Sequence, residues 1–243
     1  MKKLVLIFIA MATTSLSWAQ ASRVDTVAVM IIDRMASVIG ELTSCSFTLS
    51  SSVDIPDSEF GLLKQSGKDD VYLSGPDKML IHFYGDKGHR GFWYNGTQVH
   101  YYWFDENNYA VIDAPGNTID MIDNINHDYG IEFPAADFFS PTFTDDILAL
   151  FDNIVFLGKK KLNDQECFHI LAFNEDMSVQ FWFANDAFNL PVRVIIIYKK
   201  EGNKQYEASF SNWQLNPEFP VAIFEFLPPP LARKISIMPR YNN

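Results

Sequence analysis

Apolar side chains return every three or four positions along residues 24–42: Val24, Val27, Ala28, Ile31, Met35, Val38, Ile39 and Leu42. That spacing gathers them on one face of an α-helix, with Asp25, Asp33, Arg34, Ser37 and Glu41 on the other. Gly40 weakens the last turn. From Ser44 the period falls to two. Cys45, Phe47 and Leu49 alternate with Ser44, Ser46, Thr48 and Ser50, the pattern of a half-buried strand with a polar outer face. Further strands are predicted over residues 61–74, 78–84, 90–94, 97–104 and 109–113, separated by turn residues such as Gly75-Pro76-Asp77. Asn95-Gly96-Thr97 spells a glycosylation sequon, but Asn-Gly is also the pair that a type I′ hairpin turn demands, and the turn reading takes precedence.

The strand rhythm then breaks. Asn117 or Thr118 can cap a short helix over residues 119–129, which Gly130 ends. Pro134 can start a turn through Phe139. Thr144 can cap a third segment, with Asp145 and Asp146 favourable at its positive end. Strands resume over residues 154–162, 166–173, 178–184, 192–199 and 205–215. Near the end, Pro228-Pro229-Pro230 cannot join a central strand. Short, regular spacing argues for an antiparallel meander, and about eleven twisted strands curl rather than lie flat. The predicted architecture is therefore mainly β: a single domain over residues 22–235, followed by a tail over 236–243. Its strongly curved antiparallel sheet, an open half-barrel, is covered by the N-terminal helix and by the central helical insertion acting as a lid.

Several strands are apolar at both parities, among them His100-Tyr101-Tyr102-Trp103-Phe104, Phe181-Trp182-Phe183 and Val194-Ile195-Ile196-Ile197-Tyr198. A sheet with one wet face needs apolar residues only at alternate positions, so these strands ask for cover on both sides. An apolar pocket under the lid is predicted to be lined by Phe47, Leu49, Ile81, Phe83, Trp93, Tyr102, Phe104, Phe181 and Ile196 from the sheet. Ile122, Phe138 and Phe139 join them from the lid. A one-residue slip in register would turn any of these strands over. The competing reading is a lid that plugs the concave face with its own side chains, as side chains fill small barrels.

The N-terminus adds a compartment. Lys2 and Lys3 precede an uncharged apolar run over residues 4–12, and Ser17-Trp18-Ala19 and Ala19-Gln20-Ala21 place small residues where a signal peptidase cuts. A signal peptide over residues 1–21 is expected, cleaved after Ala19 or Ala21. The run is shorter than the roughly 20 residues a membrane span needs, and no Cys follows it for lipidation. The expected product is periplasmic or secreted and soluble after cleavage, with no stable membrane insertion. With 48% hydrophobic and 15% aromatic residues, a sizeable core is feasible. The formal net charge of -11, with no basic stripe beyond Lys159-Lys160-Lys161, argues against nucleic acid as a partner.

Candidate chemistry is sparse. No GxSxG elbow, P-loop or dinucleotide fingerprint is present. Cys167 and His169 share one face of a predicted strand, but residues two apart lie about 6.5 Å from each other, beyond hydrogen-bond reach. Zinc sites usually recruit three or four ligands, and no third accompanies this pair. The prediction is no catalytic residue, no metal and no cofactor. Cys45 and Cys167 fall on different strands far apart in sequence, so a disulfide between them is not expected; two small buried thiols are.

Several motifs carry a family likeness. Phe92-Trp93-Tyr94-Asn95-Gly96, Asp113-Ala114-Pro115-Gly116, the run from Tyr129 to Asp137, Cys167-Phe168-His169-Ile170 and above all Phe210-Ser211-Asn212-Trp213-Gln214-Leu215-Asn216-Pro217 occur in one collinear order. Together they resemble an uncharacterised family of predicted periplasmic proteins over roughly residues 24 to 232. That family's fold is similar to the outer-membrane lipoprotein carrier and its receptor, open β-barrels with a helical lid that hold acyl chains. The resemblance implies a fold and a ligand class, and it transfers no catalytic residues. The favoured function is non-enzymatic binding of an apolar small molecule, lipid or lipoprotein acyl chain in the concave face. The alternatives are a protein-interaction module of the cell envelope with a filled core and an envelope protein partner, and a hydrolase or metal enzyme built around Cys167 and His169.

Overall fold

The computed structural model describes residues 23–133 and 135–240; the expected signal peptide lies outside the described residues. The described residues form one sheet of thirteen strands. The first meander comprises β2 (Ser44–Asp57), β3 (Gly61–Ser74), β4 (Lys78–Gly85), β5 (Gly88–Tyr94), β6 (Gln98–Trp103) and β7 (Asn108–Asp113). The second comprises β8 (Asn153–Leu162), β9 (Gln165–Phe173), β10 (Met177–Ala184), β11 (Pro191–Tyr198) and β12 (Lys204–Leu215). The last strand of the second meander pairs with the first strand of the first, with Phe210 opposite Leu49 and Ala208 opposite Ser51. This joint makes a single curved, unclosed layer of the two halves.

The expectation of about eleven antiparallel strands needs one amendment. Two further strands, β1 (Arg23–Val24) and β13 (Arg233–Lys234), pair in parallel with β8 and β7 at the two edges, so the sheet is mixed. A two-residue strand contains one alternation and so leaves no periodic signal. It also explains why Val24, the first apolar residue of the predicted helix, is not helical.

Helix α1 (Thr26–Gly40) starts later than its apolar stripe suggested, because Asp25 caps it: the Asp25 carboxylate accepts from the Val27 amide at 2.9 Å. Its buried face is Ala28, Ile31, Ile32, Met35, Val38 and Ile39. Helix α2 (Thr118–Tyr129) is capped by Asn117 and ends on Gly130, whose φ of 65° is the left-handed conformation a helix C-cap favours. A 3₁₀ turn (Ala136–Phe139) leads to α3 (Phe143–Leu150). Thr144 does not cap α3; it lies inside the first turn, while Thr142 holds the N-cap position and donates its hydroxyl to Asp146 at 2.8 Å. The type I′ expectation at Asn95-Gly96 also fails. Only Gly96 has positive φ there, because the Asn95 side chain turns the chain by accepting from the Thr97 and Gln98 amides at 3.2 and 3.1 Å.

Register settles which face is which. Phe47 stands opposite Val71, Val71 opposite Ile81, Ile81 opposite Phe92, and Phe92 opposite Tyr101. In the second meander the same face carries Ala208, Val194, Phe181 and Ile170 in successive pairings. All of these but Tyr101, together with α1 and the lid, form one contiguous core. The convex face is covered in part by residues 217–232. Phe224 is 2% exposed, and Phe226 packs against Trp93, His100, Tyr102 and Tyr109 at ring separations of 5.0 to 5.7 Å.

Candidate ligand-binding site

The lid does not fill the concave face. Among the described residues, two apolar chambers lie between it and the sheet. The first, about 290 Å³, lies on β2 to β4 against Cys45, Phe47, Val71, Leu73, Met79 and Ile81, under Ile122, Phe133 and Phe139. The second, about 600 Å³, lies on β10 to β12 against Met177, Val179, Phe181, Val194, Ile196 and Tyr206, under Phe138, Phe143 and Ile147. Cavities that hold small molecules run from about 300 to 1,000 Å³, so the first sits at the lower limit and the second well inside it.

The walls are built from strand alternation and from one short turn. On β3, Val71 and Leu73 point inward at successive odd positions, and on β4 Met79 and Ile81 do the same. In the 3₁₀ turn, adjacent phenylalanines go to different chambers. Phe139 stacks on Phe47 at 5.7 Å, whereas Phe138 packs on Phe143 at 5.0 Å and edge-on to Phe210 at 5.3 Å. Ile119, Ile122, Ala135 and Ala136 line both chambers.

Of the residues predicted to face a pocket, Phe47, Ile81, Ile122 and Phe139 line the first chamber, and Ile122, Phe138, Phe181 and Ile196 line the second. Leu49 is on the same face but wholly enclosed in the core. Phe83 is also on that face, beyond both chambers. Its ring occupies the space over Gly67, and the Arg90 guanidinium stacks on it at 4.5 Å. Trp93, Tyr102 and Phe104 belong to the opposite face. The Trp93 ring lies over Gly91 and against Phe226, and Phe104 stacks on His89 at 3.6 Å. Strands β5 and β6 are aromatic at both parities, so alternation could not choose between Trp93 and its neighbours Phe92 and Tyr94. Pairing with β4, where Ile81 meets Phe92 and Met79 meets Tyr94, makes the choice. Sequence reasoning missed Val71, Leu73, Met79, Val179, Val194 and Tyr206. Their signal was the parity they share with Phe47, Ile81, Phe181 and Ile196 across the ladder.

The charged surroundings are uneven. Lys78 borders the first chamber, where its ammonium donates to the Asn95 carbonyl and pairs with Asp77 at 3.4 Å. Asp123, Asp137 and Asp146 border the second. Partial desolvation, and then the charges of Asp146 and Asp123, hold the Asp137 carboxyl above the ordinary carboxylate range. Deeper on the concave face, Asp69 is 3% exposed and one of its oxygens has no hydrogen-bond partner. Burial pushes its pKa up to about 7 against the opposing pull of Arg90.

Cys167 and His169 face away from the chambers. The His169 ring stacks on Trp182 at 4.3 Å, with Nε2 3.1 Å from the Gln180 side-chain oxygen, and the Cys167 thiol donates to the Gln165 carbonyl at 3.7 Å. Burial pushes the thiol up and the imidazole down, which disfavours a thiolate–imidazolium pair. Cys45 and Cys167 are free thiols; burial pushes Cys45, on the wall of the first chamber, up to about 12. Among the described residues no group of three or more His, Cys, Asp and Glu side chains could hold a metal ion. No helix among them is long and apolar enough to cross a membrane.

The architecture is shared with solved structures of low sequence identity. An uncharacterised conserved protein from Thermus thermophilus superposes with a TM-score of 0.50 at 11% identity, over 86% of this chain and 98% of that one. The Mycobacterium tuberculosis lipoprotein LppX superposes with a TM-score of 0.52 at 15% identity, over 82% of this chain and all of that one. A LolA superfamily protein from Nitrosomonas europaea matches at 10% identity with a TM-score of 0.39, over 82% of this chain and 97% of that one. At these identities the likeness to the first two is one of fold. No curated protein matches the chain. The family model described as "Predicted periplasmic protein (DUF2092)" matches residues 28–238, nearly all of the described chain, and the protein belongs to that periplasmic family.

Proposed function

We propose that the protein is a non-enzymatic periplasmic binder of an apolar ligand, an acyl chain of a lipid or lipoprotein, held between the concave sheet face and the lid. The observation that carries this reading is the pair of apolar chambers left open under the lid. Burying each methylene of a chain is worth about 0.8 kcal/mol. A ten-carbon segment therefore supplies roughly 8 kcal/mol before the cost of association, enough to hold a ligand with no strong polar anchor. The fold likeness to the lipoprotein LppX is compatible with this role but does not name the ligand. A filled-core interaction module would need the lid to seal the sheet, and it leaves both chambers unexplained.

The test is direct. Protein purified from the periplasm is extracted with organic solvent and the extract examined by mass spectrometry, and ligand-free protein is titrated with a fluorescent fatty acid. Co-purifying lipid and saturable uptake are expected. Lipid-free protein that also takes up no fatty acid sinks the reading.

A further inference from the structure

Resting on that reading, we infer that the ligand carries two acyl chains and straddles the Phe138–Phe139 turn, with one chain in each chamber. The chambers lie on different strands of one concave face and are divided by side chains rather than by distance. Phe139 descends from the lid onto Phe47 and walls the first chamber. Phe138 descends onto Phe210 and walls the second. The pair is a septum. Phe138 is 6% exposed and makes ring contacts with Phe143 and Phe181 as well, so the wall between the chambers is a packed aromatic cluster. Two chains joined on its lid side leave that cluster intact. On the lid side of the septum, Ile122 and Ala136 border both chambers, and there two tails can converge on one head group. The small side chain of Ala136 leaves room at that junction. The unequal volumes, about 290 and 600 Å³, predict that the shorter or more kinked tail takes the chamber on β2 to β4.

The experiment compares a two-chain phospholipid, dipalmitoyl phosphatidylcholine, with its single-chain counterpart, palmitoyl lysophosphatidylcholine, by native mass spectrometry on delipidated full-length protein. One two-chain molecule, or as many as two single-chain molecules, should bind per protein. Val71→Phe fills the first chamber and Val194→Phe the second. Each should weaken the two-chain lipid at least about ten-fold, the penalty of overpacking, while leaving room for one single-chain molecule. A thermal melt shows that each variant is folded. As a check that needs no variant, a phosphatidylcholine carrying a photoreactive group at the terminus of each tail should label residues of both chambers. Labelling confined to one chamber, or undiminished two-chain binding in Val71→Phe, overturns the two-chain assignment. Binding of single-chain molecules alone overturns it too, yet leaves the lipid reading standing. Binding of neither lipid to the unaltered protein overturns both.

Discussion

Asp69 is the residue whose placement is hardest to reconcile with a purely apolar interior. It stands on the concave face of β3, opposite Leu49 and Phe83, and is 3% exposed. A carboxylate there loses its hydration, and the Arg90 charge compensates only in part, which is why its pKa rises to about 7. The sign of the consequence follows from proton counting. Between roughly pH 4 and 7 the unfolded chain has released this proton and the folded chain keeps it, so stability falls as pH rises through that window and levels off above it. A shift of this size corresponds to on the order of 4 kcal/mol across the window. Asp69→Asn removes the titration. Urea unfolding of both proteins at about pH 5 and about pH 8 should show a markedly smaller loss of stability in the variant. Equal losses would mean that Asp69 is ionised in the folded state at both pH values. Asp69 shares the inward parity of Val71, which sequence reasoning did not assign, and nothing in a linear sequence gives the depth of burial that sets its pKa.

At the scale of elements, alternation located all the long strands, because each buries one face against the same core. Residues 61–74 are both the predicted and the observed span of β3. Alternation failed at the two-residue edge strands, which are too short to have a period, and it could not choose a face for β5 and β6, where both faces are covered. A third of the sheet residues named on the chamber walls, Phe47, Ile81, Phe181 and Ile196, were legible from their strand parity. Trp93 and Tyr102 were misplaced because their cover comes from Phe226, in a segment without periodicity of its own, and Phe104 because it packs beside them on His89. The lid helix was readable from its ends. Asn117 accepts from the Asp120 amide at 2.9 Å, and Gly130 returns its amide to the Asn126 carbonyl at 2.8 Å. Asn117→Ala should cost about 1 kcal/mol, the usual worth of an N-cap. Since α2 supplies Ile119 and Ile122 to both chambers, that loss should appear first as faster amide exchange in α2, before any fall in the melting temperature of the sheet. A variant whose sheet and lid weaken together would show that α2 has no independent opening.

The whole molecule is tied together by its C-terminus, which visits three places in turn. Phe224 and Phe226 are buried against the convex face, Arg233 and Lys234 add to the edge of β7, and the Ile235 amide donates to the Tyr109 carbonyl at 2.8 Å. The chain then rounds that edge to the lid, where Ile237 packs on the main core. There the Arg240 amide donates to the Asp128 carbonyl at 2.6 Å, and the Arg240 guanidinium donates to the Gly130 carbonyl at 3.2 Å. A cation at the C-terminal end of α2 is also favourably placed against the helix dipole. Sheet edge and lid are thus coupled by one strap, although more than a hundred residues separate Arg240 from Gly130 along the chain. Ending the protein at Ala232 removes the edge strand and both contacts to α2, yet leaves Phe224 and Phe226 in place. Amides of α2 should then exchange at least about ten-fold faster, while those of β9 to β11, which the strap does not touch, keep their protection. On the proposed function, release of a bound acyl chain should quicken in step with α2. Unchanged exchange in α2 would reduce the strap to a passive covering. Uniform loss of protection across the sheet would make it part of global stability rather than a fastening for the lid.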